Sequence, residues 1–250
     1  MTPMRISALF LASAALLATA CNAEKAASNS SGSEVTAAPV AAPNNGDWST
    51  IVTKTPEGGF LMGNPNAKVK LVEFGSMTCP HCAEFEEQGG KALVDNYVKK
   101  GLVSWEFRNF VRDPYDMAVT LLARCGAEAN FFGMTRTLFH DQKNWIGKLQ
   151  AADPAQMQAL QGAPPAQQFS AIADMAGLKT FAAQRGVPRA KAEQCLGNET
   201  EINQLVQMNS DAVSGFSIPG TPAFLINNVL VEQSSSWSAL EPKIKEALAS

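Results

Sequence analysis

Cys79 and Cys82 stand three residues apart where an extended apolar run gives way to a helical one. Val69, Leu71 and Glu73 alternate with Lys70, Val72 and Phe74, which describes a strand apolar on both faces and therefore central in a sheet. Gly75-Ser76-Met77-Thr78 turns into Cys79, and a helix is expected from about residue 80 to residue 100, stopped by Gly101. Residues 102–110 are rich in β-formers. Strand, helix and strand make a βαβ unit, whose crossover requires parallel strands. Helical spacing puts both sulfurs on one face of the first turn, near enough to bridge.

The chemistry of that position is specific. A helix N-terminus presents unpaired N–H groups and partial positive charge, which favour Cys79 as thiolate. His81, between the cysteines, can add charge or a hydrogen bond to the same sulfur. A stabilised thiolate favours the reduced form and makes the disulfide more oxidising. Other readings of the pair are weaker. Zinc needs a second ligand pair, and Cys125, His140 and Cys195 supply no second CxxC. Haem attachment needs His directly after the second cysteine, where Ala83 stands. A purely structural disulfide is the remaining alternative.

The middle of the chain changes character. Asp113-Pro114 suits a helix start, after which Ala118, Leu121, Leu122, Cys125 and Ala129 fall on one helical face. Further helices are expected near 154–161, 165–176 and 188–196. Strand character returns at 223–226 and 229–231 across Asn227-Asn228, before a last helix over about 239–249. The fold class is therefore α/β with a helical insertion of about a hundred residues. Cys125 and Cys195 lie within it, and in an oxidising compartment two half-buried cysteines are expected to bridge; the alternative is two free core thiols.

Ahead of all this, Arg5 and the apolar run 6–18 have the proportions of a signal peptide. Ala18-Thr19-Ala20-Cys21 reads either as a cleavage site after Ala20 or, like a bacterial lipobox, as the junction that makes Cys21 a lipidated first residue. Residues 22 to about 46 are Ala, Ser, Asn, Gly and Pro with few large apolar groups, the composition of a flexible tether. The net charge of -3, without a basic stripe, points away from nucleic acid, and two histidines are too few for a His-rich metal site. The expected divisions are 1–20 signal, 21–46 tether, 47–112 and 213–250 sheet domain, and 113–212 helical insertion.

Val72-Glu73-Phe74 running into Cys79-Pro80-His81-Cys82, with Gly220-Thr221-Pro222-Ala223-Phe224 far downstream, resembles the DsbA family of thioredoxin-fold oxidoreductases. The run from Gly58-Gly59-Phe60 to Asn64-Pro65 resembles that family's entry segment, and the likeness covers roughly residues 50 to 249. It implies a thioredoxin fold with an inserted helical domain, and a cis Pro222 facing the active site beside Thr221. The pair Pro80-His81 is the one associated with oxidising members. The resemblance also supports Glu73 as proton acceptor for Cys82; an acid at a strand end reaching water or a Lys is the plainer alternative.

On this reading the protein is an exported enzyme that donates disulfides to periplasmic or secreted proteins. Cys79 forms the mixed disulfide and Cys82 resolves it, with no cofactor beyond the cysteine pair. Its partners would be reduced, unfolded exported chains and a re-oxidising membrane protein of the DsbB kind. Two alternatives stand beside it: a reductase or isomerase of the same fold, and a binding module or chaperone whose CxxC is only structural. The oligomeric state is not legible.

Overall fold

The computed structural model describes residues 38–43 and 46–250. Its centre is a six-stranded sheet in the order β1-β2-β4-β3-β5-β6. These are β1 (Val52–Lys54), β2 (Phe60–Met62), β3 (Val69–Gly75), β4 (Val103–Asn109), β5 (Ala223–Ile226) and β6 (Val229–Val231). β3 and β4 run parallel and every other pair is antiparallel. β3 is central, as its two-sided apolar pattern requires, and only Lys70 along it is exposed.

Period-two alternation assigns β3 to two cores. Val69 and Leu71 face the larger one, with Trp105, Phe107, the helix that begins at Pro80 and most of the inserted helices. Val72 and Phe74 face a smaller core completed by Ala212, Ile218 and Leu225. Glu73 follows Val69 and Leu71 and so lies under the helix that begins at Pro80. Gly75 ends the strand where a Cβ would meet the Phe107 ring at 2.4 Å, so a larger residue would push that ring off the strand end.

The active-site helix begins at Pro80–Phe85 and continues through π turns at Glu86–Gly90 and Val94–Val98 on either side of Lys91–Leu93. Gly101, at φ +69°, reverses the chain into β4. Between β4 and β5 lie the helices Pro114–Ala123, Phe131–His140, Gln142–Gln150, Pro154–Ala159, Pro165–Met175, Leu178–Ala183, Arg189–Leu196 and Glu199–Phe216. Asp113 caps the first, accepting from the Asp116 N–H at 2.8 Å. Trp237–Ala249 closes the chain.

Several expectations need correction. The first inserted helix stops at Ala123, because Arg124 leaves it to bury its guanidinium against Glu201, Asn109 Oδ1 and the Gly58 carbonyl. Cys125 therefore follows the helix, and Ala129 is exposed in a 3-10 turn. Glu199–Phe216 runs through residue 212, where the sequence placed the return to the sheet. Of the segment read as a tether, residues 38–43 and 46 are described, and Val40 is not free. Its N–H donates to the Lys100 carbonyl at 2.8 Å, and its own carbonyl accepts from Trp48 Nε1 at 2.9 Å. Residues 1–37, with the expected signal segment and Cys21, lie outside the described residues.

Cys125 and Cys195 form a disulfide that ties the end of the first inserted helix to Arg189–Leu196, 70 residues on. In the chain-entropy model a loop of that length contributes up to about 4 kcal/mol. Lys179, buried within the insertion, is held by Asp174 at 2.7 Å, Glu193 at 2.6 Å and Ser170 at 2.6 Å.

Candidate active site

Cys79 is the N-cap residue of the active-site helix, in extended conformation, with Pro80 at the first helical position. Cys79 and Cys82 are both free thiols and both buried. While it is a thiol, Cys79 Sγ donates to the Thr221 carbonyl oxygen at 3.2 Å, and the Thr221–Pro222 bond is cis. The two ends of the site, 142 residues apart in sequence, thus meet at one sulfur.

The two thiols are pushed in opposite directions. Cys79 is lowered from 9.0 to about 5, chiefly because the Cys82 thiol hydrogen-bonds to its thiolate. The Thr221 side chain and the backbone N–H groups of Cys82 and His81 add to this, against the cost of burial. Thr221 Oγ1 is buried without an ordinary hydrogen-bond partner, leaving it available to that charge. Cys82 is driven well above the usual thiol range by burial, then by its bond to Cys79 and the nearby Glu73 carboxyl. Such a pair could supply one ionised thiol, able to act as nucleophile and leaving group, beside one that keeps its proton.

His81 takes a different place from the one expected of its side chain. The imidazole is exposed, with Nδ1 3.4 Å from Glu84 Oε2; what reaches the sulfur is the His81 backbone N–H. Glu73 is sealed from water beneath Cys82, accepting from Trp105 Nε1 at 3.1 Å. Burial, then the neighbouring Glu86, raises it well above the carboxylate range, against the Trp105 bond. Among the described residues no Lys pairs with it, and its burial keeps it from bulk solvent, against the plainer reading of this residue. His140 is exposed at a helix end.

The family model described as Thioredoxin matches residues 55–246. The chain belongs to the thioredoxin family. Its relatives are named for thiol–disulfide chemistry. A solved structure of a protein-disulfide isomerase from Novosphingobium aromaticivorans is 37% identical, with a TM-score of 0.73 over 76% of this chain and 97% of that one. The alpha-DsbA1 of Wolbachia pipientis, at 19% identity and TM-score 0.63 over 78% and 92% of the two chains, shares the fold. A Rickettsia bellii protein named "Putative protein-disulfide oxidoreductase" is 24% identical over 205 residues, 79% of this chain and 69% of its own length. A similarly named Rickettsia prowazekii protein is 23% identical over 186 residues, 74% of this chain, and is spanned for 60% of its length. This thioredoxin-family protein is an enzyme of thiol–disulfide interchange.

Other residues around Cys79 were invisible to sequence reasoning. Asp116 and Gln142 reach the turn before Cys79 from the inserted helices. Asp116 had a signal: it shares a helical face with the buried Val119, Thr120 and Ala123, and a carboxylate on an apolar stripe calls for a partner. Gln142 had none, since its role depends on where its helix docks.

Proposed function

We propose that the protein is an exported oxidase that passes the Cys79–Cys82 disulfide to reduced client proteins. The observation that carries this reading is the acidity of Cys79, at about 5, beside a Cys82 that keeps its proton. Every favourable interaction with the Cys79 thiolate is lost when the disulfide forms, so the disulfide tends to be handed on. A client thiolate attacks Cys79 Sγ and Cys82 leaves, taking a proton. A second client thiol then attacks the client sulfur of the mixed disulfide and releases the Cys79 thiolate. Glu73 is the group placed to exchange the Cys82 proton, while Thr221 and cis Pro222 offer backbone to an extended client chain. A membrane protein of the DsbB kind would restore the disulfide.

The same proposal places the protein in the periplasm, held at a membrane by lipid on Cys21. Among the described residues no helix is long and apolar enough to cross a membrane. Mass measurement of the mature N-terminus tests the anchor, and an unmodified Cys21 removes it.

Equilibration with glutathione redox buffer tests the direction. The expected potential lies well above that of thioredoxin, about -270 mV, with rapid oxidation of a reduced, unfolded client; Glu73→Gln should slow the step that moves the Cys82 proton. The isomerase name of the Novosphingobium relative favours a second reading, in which a reductant keeps the site as thiols. A thioredoxin-like potential, with Cys79 titrating near 8, would establish that reading instead.

A further inference from the structure

The three residues before Cys79, Ser76 to Thr78, are gripped by side chains the exchange chemistry does not use. Met77 is fully buried, and both its backbone polar groups are satisfied from the insertion. Its N–H donates to Asp116 Oδ1 at 2.9 Å, and its carbonyl accepts from Gln142 Nε2 at 2.8 Å. The same Gln142 nitrogen donates to the Cys79 carbonyl at 2.9 Å. Asp116 Oδ2 accepts from Ser76 Oγ at 2.6 Å and from the Arg112 N–H at 3.0 Å. The Arg112 guanidinium in turn donates to Ser76 Oγ at 2.9 Å and Thr78 Oγ1 at 2.8 Å. Asp116 and Gln142 are themselves buried.

We propose that Gln142 and Asp116 are positioning residues of the redox centre, which fix the peptide planes of Met77 and Cys79 and so hold the Cys79 side chain at the open N-terminus of the active-site helix. This rests on the reading of Cys79 as the reacting thiol, and it assigns the inserted helices a direct part in the chemistry. The complementarity is selective. Asp116, an acceptor, meets the N–H and hydroxyl donors of the turn, while Gln142, through two amide hydrogens, meets its carbonyls. The Cys79 carbonyl has one other partner, the Ala83 N–H at a longer 3.3 Å. Without Gln142 that peptide plane is free to tilt, and the sulfur moves with it. Charge–dipole interactions of a thiolate with N–H groups are short-ranged and directional, so a small tilt weakens them.

A purely structural role would alter stability and leave the sulfur's chemistry alone. The test therefore reads Cys79 itself, in reduced protein without a client, through ultraviolet thiolate absorbance and alkylation rate against pH. Gln142→Met keeps the length of the side chain and removes its donors. The Cys79 midpoint is expected to rise by about one unit, making it about ten-fold weaker as an acid, and alkylation at pH 5 should slow correspondingly. Asp116→Asn should move it in the same direction. Thr135→Val, on another inserted helix and removing a buried hydroxyl without a partner, should leave the profile unmoved. Should Gln142→Met not fold, Gln142→Asn, which withdraws the amide by one methylene, gives the same readout. Unchanged Cys79 profiles in folded Gln142 variants would overturn the proposal, whatever their thermal stability. If the unaltered protein titrates like free cysteine, the functional reading fails instead, a distinct outcome.

Discussion

Cys82→Ala is expected to turn the protein into a trap. Its Cys79 thiolate attacks a client disulfide and releases one client thiol. The mixed disulfide then persists, because no neighbouring thiol remains to attack Cys79 Sγ. In the unaltered protein Cys82 lies one helical turn away and acts as an intramolecular nucleophile, so the adduct lifetime should lengthen by at least about a thousand-fold. Attack itself should be slower and less acid-tolerant, since the Cys82 thiol is the largest stabiliser of the Cys79 thiolate. Cys79→Ala should form no adduct at all. Non-reducing electrophoresis after incubation with an oxidised client distinguishes the two variants. Equal adduct formation by both, or none by either, would return the CxxC to a structural role.

The second large effect is the pH dependence of the stability difference between reduced and oxidised protein. Cys79 ionises at about 5 in the folded reduced state against an ordinary 9.0. A depressed acid of this kind stabilises the folded state in full above the unfolded value, and progressively less as pH falls through the folded one. The oxidised protein has no such thiol. The reduced form should therefore lose its advantage steadily between about pH 9 and pH 5 and lose all of it below. Above pH 9 the trend should reverse, because Cys82 keeps its proton in the fold while the unfolded chain releases it. At pH 7 a thiol of this acidity is almost wholly ionised, whereas a free cysteine is so only to a few per cent. Thermal melts of both forms across this range measure the difference; a flat profile would mean that Cys79 is an ordinary thiol.

The βαβ unit, the hairpin across Asn227-Asn228 and four of the eight inserted helices could be read from the sequence because each carries strong local signals: two-sided apolar alternation, a helix-start proline, paired turn residues. The misses are instructive. β1 and β2 are three residues each, too short to display a period, and the glycines between them suggest a loop. The long helix Glu199–Phe216 buries only Leu205, Met208 and Ala212, so its apolar stripe is narrow amid Asn, Ser and Gln. Both π turns of the active-site helix lack any sequence signature. At the site, Cys79 and Cys82 are legible from spacing alone. Thr221 and Pro222 came from family resemblance, since no local pattern links residue 221 to residue 79. Asp116 and Gln142 depend on docking between elements, which a linear sequence does not display.

The helical insertion sits between the two halves of the redox centre, and this gives the protein's own biogenesis an order. Of the four cysteines in the described fold, a chain emerging from its N-terminus presents Cys79 and Cys82 before Cys125, and the partner of Cys125 only 70 residues later. Through that interval three of these four thiols are together without the last. The strongest local support of the Cys79 thiolate, from Cys82 and the helix N–H groups, is already available once the helix forms, but Thr221 is not yet there to complete it. The thiol reaches its full acidity only when the C-terminal strands close the sheet. Until then the young chain is itself a reduced, unfolded polypeptide with a pairing choice to make, the same kind of molecule that the proposed oxidase would take as client.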